Sequence, residues 1–504
     1  MLETFNKMVE PVNSLIWSNP IVFLILGSAI WFTIRMHFVQ VRNLKHQFSL
    51  LFKKNESLEG ISPFEAFCTV VGYRVGTANI AGVAVAVFSG GPGAVLWMLI
   101  TSILDAAISY AECALGQVYK IKQDGEYRGG AYYYIERGMG LKGTAIIYAL
   151  LTLICVPILT VAPHANSISK AFNNSIGLPL WVSGIVVGIF LLWTVFGGIK
   201  RIARINTYLV PVMTGLYLLM TVIVLVADVK HIPAAIGTIV SSAFGTDAIF
   251  GGLLGTAVLW GVKRSVNSSG AGMGEAVPAA AATDCKHPGS VGLVNSFSVF
   301  IDVIVCICTG IMIVLTDCFN VKDAAGKILH LGKGSAVMAQ QAADGEAGIV
   351  WAQEAIGTVL PTIGGLVLAF CLLFFAFTTV LNYYYQGETS LAFIFRNSKQ
   401  SIRKTAILIL RILMSICFFI FAIQSSGASF AIGEVGVGIM VWFNVIILLI
   451  NTKKIIAIYK DYTAQLKSGI DAPIFNPEKL GIKNADLWME INAKEIAEQN
   501  QSKE

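Results

Sequence analysis

The chain has 504 residues, a mean hydropathy of +0.71, 55% hydrophobic residues and only 13% charged ones. About a quarter of a soluble domain's residues are charged, so this composition excludes a soluble globular enzyme or binding module and points to an integral membrane protein. The formal charge of +6 is spread over loops rather than gathered on one face, which argues against a nucleic-acid partner.

The first apolar stretch, about 15–38, has no basic region before it and no small-residue cleavage motif after it. It reads as a retained span rather than a signal peptide. Arg35, Arg42, Lys45, Lys53 and Lys54 follow; by the positive-inside bias this loop is cytoplasmic and the N-terminus is outside. The second span, about 63–88, is unusual: an apolar segment holds Tyr73-Arg74-Val75-Gly76-Thr77-Ala78-Asn79 at its middle. Lipid does not accept unpaired polar groups, so this spacing predicts a helix that unwinds near the membrane midplane, with its backbone facing protein or water. A Gly90-Gly91-Pro92-Gly93 turn ends it.

The third span, about 94–118, carries Asp105, Ser109 and Glu112. The basic loop after it contains YRGGAYYYIERGMG, read as re-entrant or interfacial with Tyr132, Tyr133 and Tyr134 at headgroup level. Spans follow at about 143–168, ending on His164, Asn166 and Ser167, then at 179–197 and 207–227, the last two joined by a basic inner loop with Lys200, Arg201 and Arg204. An outer loop with a short helix after Pro233 leads to a second interrupted span, about 250–284. There Lys263, Arg264, Asn267, Ser268, Ser269, Gly270 and Glu275 break the apolar pattern. The remaining spans are expected at about 290–317, 359–386, 405–424 and 431–450, with a half-structured outer loop at 318–357 and a cytoplasmic tail from 451. The nine cysteines sit mostly in apolar runs and read as buried small hydrophobes; Cys306 and Cys308 are too close for a usual ligand pair, and Cys285 and Cys318 fall on opposite sides.

Every loop placed inside is basic apart from a short one holding Lys286, while outer loops hold scattered lysines. The pattern also has a two-fold plan. After an extra segment 1–59, one interrupted helix opens the set 60–228 and another opens 229–450, five spans each. An odd number of spans inverts the second set, and paired broken helices in an inverted repeat mark a secondary transporter's site. The free backbone of Thr77 and Ala78 suits a solute carboxylate, with Asn79 bracing the turn; Asn267, Ser268, Ser269 and Gly270 face it. Thr378 and Thr379, adjacent hydroxyls in an apolar span, suit a hard cation together with carbonyls near Gly76; the alternative is that each hydroxyl bonds an upstream carbonyl of its own helix. Arg74, Asp105, Glu112 and Glu275 read as gate or brace residues, Arg74 pairing with Asp105, Glu112 or Glu275, and Glu275 pairing with Lys263, Arg264 or Arg74. His164 beside Asn166 reads as structural or as pocket lining.

RVGTANIAGVAVAVFSGGPGAVLW, YRGGAYYYIERGMG, HANSISKAF, GGIKRIARIN, FAFTTVLNYYYQGE and the run from Gly270 through Asp302 resemble the sodium:alanine/glycine symporter family over about 15–450. The resemblance implies an all-α, LeuT-like core of ten helices preceded by one extra span, eleven in all, in a cell inner (plasma) membrane. It also implies a monomer that takes up alanine or glycine with sodium as coupling ion and no other cofactor. Carried onto this chain, the pocket falls on Tyr73, Thr77, Ala78, His164 and Asn267 with its neighbours, and the ion site on the Arg74-to-Asn79 backbone with Thr378 and Thr379. The departures cluster at the pocket. The family usually reads GTGN where Ala78 stands, glutamine at His164, and a phenylalanine-led motif at Asn267; Tyr73 and Asp105 replace smaller residues. Ala78 is expected to crowd the turn, and a larger or more polar amino acid or an organic acid becomes a candidate solute. A sensor-like paralogue is the second reading. A membrane enzyme is the third, and no nucleophile–base–orienter set supports it.

Overall fold

The computed structural model describes residues 9–497 except residues 10, 43, 53–60, 197, 248, 324, 344–345, 362 and 494. Lys53, Lys54 and Gly197 of the expected inner loops lie outside the described residues. The chain is nearly all helix. The first half comprises α1 (Asn19–Arg35), α2 (Pro63–Arg74), α3 (Ala81–Gly90), α4 (Gly93–Val118), α5 (Lys142–Ile154), α6 (Val161–Ile176), α7 (Leu180–Val195) and α8 (Gly198–Ala227). The second comprises α9 (Ile232–Ala243), α10 (Leu254–Ser269), α11 (Val277–Ala282), α12 (Pro288–Leu315), α13 (Ile349–Gly357), α14 (Gly364–Ile394), α15 (Gln400–Ala422) and α16 (Ser426–Ile450), followed by α17 (Thr452–Lys467) in the tail. Short antiparallel hairpins pair β1 (Ile121–Gln123) with β2 (Glu126–Arg128) and β3 (Asn320–Lys322) with β4 (Ile328–Leu331).

Among the described residues seven helices are long and apolar enough to cross a membrane: α4, the continuous α5–α6, α8, α12, α14, α15 and α16. The α2 start is fixed by Ser62, whose hydroxyl accepts from Glu65 N at 3.2 Å while Glu65 returns the bond to Ser62 N at 2.9 Å, with Pro63 next. Helix α4 forms the centre of the molecule, with α10 and α12 packed on it, and α14 is wedged between α2, α6 and α8. These contacts need small residues. A Cβ on Gly116 would stand 2.2 Å from Val277 Cγ1, and one on Gly310 would stand 2.5 Å from Val95 Cγ1. By contrast α15 buries one thin stripe, Arg403, Leu410, Met414, Phe418 and Ala422, and turns isoleucines and leucines outward, as a lipid-facing helix does.

Four expectations are corrected. His164 is not at a span's end. Pro157 is absorbed by a π turn at Cys155–Leu159, so the helix continues and His164 lies in the first turns of α6, which runs on to Ile176. Tyr132, Tyr133 and Tyr134 are buried against protein, Tyr132 and Tyr133 around Phe393, rather than exposed at headgroup level. Lys200, Arg201 and Arg204 are helical residues at the start of α8 and not a loop. The second interruption begins later than Asn267: α10 continues through Ser269, and Asn267, Ser268 and Ser269 form its last turn.

Candidate functional site

Helix α2 stops at Arg74, a single 3-10 turn occupies Thr77–Asn79, and α3 starts at Ala81. The Asn79 side chain holds this opening, its Oδ1 accepting from Gly76 N at 2.8 Å. Ala78 does not crowd it. Residue 78 has no positive φ, so the turn does not demand glycine there. The side chain is half-buried.

The second opening has a different cause. Gly270, Gly272 and Gly274 adopt φ of +61°, +81° and +79°, conformations an L side chain rarely takes. Three such residues in five prevent helix until Val277. Glu112 on α4 braces the bare backbone: its Oε2 accepts from Gly272 N at 3.1 Å, from Gly274 N at 3.0 Å and from Asn444 Nδ2 at 3.2 Å. Asn444 also donates to Gly272 O at 3.1 Å, and Tyr148 Oη donates to Met273 O at 2.9 Å.

The two openings touch. Arg74 donates to Ser269 O and, at 2.7 Å, to Ser109 Oγ. No carboxylate pairs with it within 4.0 Å among the described residues, so the expected pair with Asp105, Glu112 or Glu275 is replaced by a link from one broken helix to the other. Asn79 Nδ2 donates to Asp302 Oδ1 at 2.5 Å, and Ser268 Oγ donates to the same oxygen. Asp302 on α12 thus ties both openings together. Asp105 accepts from Ser265 Oγ at 3.0 Å, bracing α10 one turn before the break. Asn267 donates to its own helix at Lys263 O, 2.7 Å away.

One wall of the opening is formed by α6 and α14. Thr77 Oγ1 lies 3.2 Å from His164 Nδ1, and Tyr383 Oη lies 3.4 Å from His164 Nε2. Tyr73 lies under Gly270, where a Cβ would be 3.1 Å from Tyr73 Cε2. The Tyr73 hydroxyl and Glu275 Oε1 are buried without a hydrogen-bond partner. Lys263 and Arg264 do not pair with Glu275. Both pair with Glu434 of α16, Lys263 Nζ at 2.5 Å, and Glu434 also accepts from Asn13 Nδ2 at 2.7 Å.

The hydroxyls of Thr378 and Thr379 converge on the last turn of α2. Gly72 O lies 2.9 Å from Thr378 Oγ1 and 3.1 Å from Thr379 Oγ1, and Tyr73 O lies 3.4 Å from Thr379 Oγ1. Gly76 lies alongside, where a Cβ would be 2.8 Å from Thr379 Oγ1; the α2 carbonyls that meet the hydroxyls belong to Gly72 and Tyr73, and within α14 the Thr378 hydroxyl also reaches Phe374 O at 3.0 Å and Phe375 O at 2.9 Å, and the Thr379 hydroxyl Phe375 O at 2.9 Å. This is an all-oxygen set at the C-terminal end of a half-helix, chemistry suited to a hard monovalent cation. No group of three or more His, Cys, Asp or Glu residues gathers as metal ligands among the described residues.

Sequence reasoning did not single out Gly72, Asp302, Tyr383, Glu434 or Asn444. Asp302 and Glu434 carried a signal, since a lone carboxylate in an apolar span is a functional candidate by default. Nothing in sequence marked Gly72, Tyr383 or Asn444.

Two opposed, interrupted helices in an apolar bundle, with polar groups converging on the gaps, are the architecture of a secondary membrane transporter. Residues 2–477 match the sodium:alanine symporter family, and the chain belongs to it. It is 42% identical over 482 residues to the putative sodium/proton-dependent alanine carrier protein YrbD of Bacillus subtilis, covering 95% of this chain and 97% of the relative. It is 32% identical over 492 residues to the probable sodium/glutamine symporter GlnT of the same organism, covering 97% of each. It is 35% identical over 396 residues to the sodium/alanine symporter AgcS of Methanococcus maripaludis, covering 76% of this chain and 82% of the relative. The crystal structure of MhsT in complex with L-phenylalanine superposes with a TM-score of 0.52 at 16% identity, covering 85% of this chain and 96% of that one, which gives the LeuT-like fold. The protein is a sodium-coupled secondary transporter of amino-acid solutes, not an enzyme.

Proposed function

We propose that the solute is a small neutral amino acid, alanine or glycine, held between the two helix openings and driven by sodium at Thr378 and Thr379. The observation that carries this reading is the approach of both hydroxyls to within 3.1 Å of the Gly72 carbonyl, one turn before the opening at Thr77 and Ala78. An ion there shares the α2 end with the solute, so binding one orders the backbone that receives the other. Tyr73, Thr77, Ala78 and His164 line one side of the solute, and Ser269 and Gly270 the other. Asn267 contributes helix packing rather than a contact. Arg74, Asn79, Asp105, Glu112 and Glu275 hold or gate the openings.

The seven long helices, α1, α7 and the two interrupted pairs α2–α3 and α10–α11 make eleven crossings. Residues 60–228 and 229–450 then form inverted halves, with the N-terminus outside, the tail cytoplasmic and the monomer as the working unit. Purified protein in liposomes is expected to accumulate alanine under an inward sodium gradient and not without one. Thr378→Ala should raise the half-saturating sodium concentration at least tenfold. An unchanged half-saturating sodium concentration in that variant would remove the ion assignment.

A second reading, a larger polar solute such as an amino-acid amide, rests on the polar wall of His164 and Tyr383 beside the buried Tyr73 hydroxyl and Glu275 Oε1. In a competition panel it predicts stronger inhibition by glutamine than by alanine, and weaker inhibition by glutamine after His164→Ala.

A further inference from the structure

We propose that the cleft between the ends of α7 and α8 binds an anionic phospholipid. Residues 198–206 have no part in the solute or ion site, yet they form a built feature. The cleft has an open volume of about 580 Å³. Lys200, Arg201 and Arg204 line it together with Phe190, Trp193 and Phe377, and no carboxylate lines it among the described residues. The Arg201 guanidinium lies 4.3 Å from the Trp193 ring centroid, which fixes a cation where the apolar wall ends. Trp193 and Phe190 are 58% and 52% exposed. Arg201 and Arg204, three apart on one helix face, present two donor forks to the same space.

A phosphodiester satisfies Arg201 and Arg204, and an acyl chain covers the aromatic wall. A free phosphate would do only the first. Basic clefts between spanning helices on the cytoplasmic side are suited to acidic headgroups, and the cytoplasmic placement rests on the charge bias of the loops. The cleft is also adjacent to the ion ligands. Phe377 precedes Thr378. On α8, a few residues beyond Arg204, Val210 Cγ2 and the Asn206 side chain stand 3.1 and 3.4 Å from where a Gly72 Cβ would be. Lipid in the cleft therefore holds the helix that packs behind the Gly72 carbonyl.

The full-length protein is reconstituted in phosphatidylcholine nanodiscs with or without phosphatidylglycerol, and thermal unfolding is followed. Phosphatidylglycerol is expected to raise the Tm by several degrees in the wild type. Arg201→Gln/Arg204→Gln should lose most of that increment, Arg201→Lys/Arg204→Lys, which keeps the charge without the donor forks, should retain part of it, and the remote Arg42→Gln should keep all of it. An equal increment in the Gln double variant overturns the proposal. So does a full shift produced by soluble glycerol 3-phosphate in phosphatidylcholine discs, which would make this a soluble-phosphate site. Should the Gln variant not fold, native mass spectrometry of the wild type decides: preferential retention of phosphatidylglycerol over phosphatidylcholine supports the site, and equal retention overturns it.

Discussion

Gly270 ends α10, and little else can stand in its place. With φ at +61°, a Cβ would lie 2.4 Å from Glu275 Oε2. A left-handed non-glycine residue costs about 1–2 kcal/mol, and Glu275 must also move. Gly270→Ala is expected to lower the Tm of the detergent-solubilised protein and to cut uptake several-fold. Gly270→Asn, which tolerates this backbone better, should retain more of both; equal loss in the two variants would show that backbone conformation is not the constraint. This glycine was legible from its polar, glycine-rich surroundings. The partners of its neighbours were not, because they come from packing across the chain: Ser268 meets Asp302, and Arg264 meets Glu434, 170 residues away. Periodicity and local polarity register that a group needs a partner but not which helix supplies it. For the same reason Arg74 was assigned a carboxylate and instead bonds Ser269 O and Ser109.

At the scale of elements, the two interrupted helices are held open by different means, and the difference sets what each substitution does. The first gap is closed locally by Asn79 on Gly76, and its position was readable from the sequence. The second is braced from a distance by Glu112 of α4. Its start was displaced toward the C-terminus because Ser268 and Ser269 are polar yet helical, their hydroxyls satisfied by Asp302 and by Ala271 N. Glu112→Ala leaves Gly272 N and Gly274 N buried without acceptors, a cost of about 1–3 kcal/mol for each. The expected result is a protein of reduced yield and Tm, with Glu112→Gln intermediate. A Tm unchanged in Glu112→Ala would mean that the glycine segment supports itself. The cluster on Glu434 makes a second test. It joins α10, α16 and the segment before α1, where Trp17 Nε1 donates to Glu434 O at 2.9 Å. Glu434→Ala strands two buried cations, and breaking such a cluster from one side costs about 3–5 kcal/mol. Lys263→Met/Arg264→Met/Glu434→Leu, which removes all three charges, should recover most of the lost stability in the same thermal assay. If the triple variant is less stable than Glu434→Ala, the charges contribute more than their desolvation costs.

On the scale of the whole molecule, the tail is part of the transporter body. Trp488 is fully buried, its Nε1 donating to Gln117 O at 3.1 Å and its ring 4.7 Å from Lys120 Nζ. Asn492 Nδ2 bridges Lys286 O at 3.0 Å and Phe475 O at 2.9 Å. In the sequence the tail reads as a partly helical end with an even mix of lysines and acids, and α17 bears out the helix; its docking is not legible there, since a few aromatic anchors among polar residues leave no periodic signal. Together these segments enclose a cavity of about 290 Å³ between the start of α2, the α11–α12 connection and the tail. Cys285 lines it, and burial pushes its thiol up to about 11, so maleimide should modify it slowly at neutral pH. Trp488→Ala removes the largest anchor, and replacing a buried Trp with Ala costs about 3–5 kcal/mol. Undocking the tail gives the thiol both access and solvation, and each change speeds the reaction. Site-resolved mass spectrometry is therefore expected to show Cys285 labelling accelerated at least tenfold in Trp488→Ala, with Cys68 and Cys371, buried in the bundle, unchanged. Labelling that rises at all three cysteines would mean that Trp488 supports the entire bundle, and labelling that rises at none would mean that the tail stays docked without it.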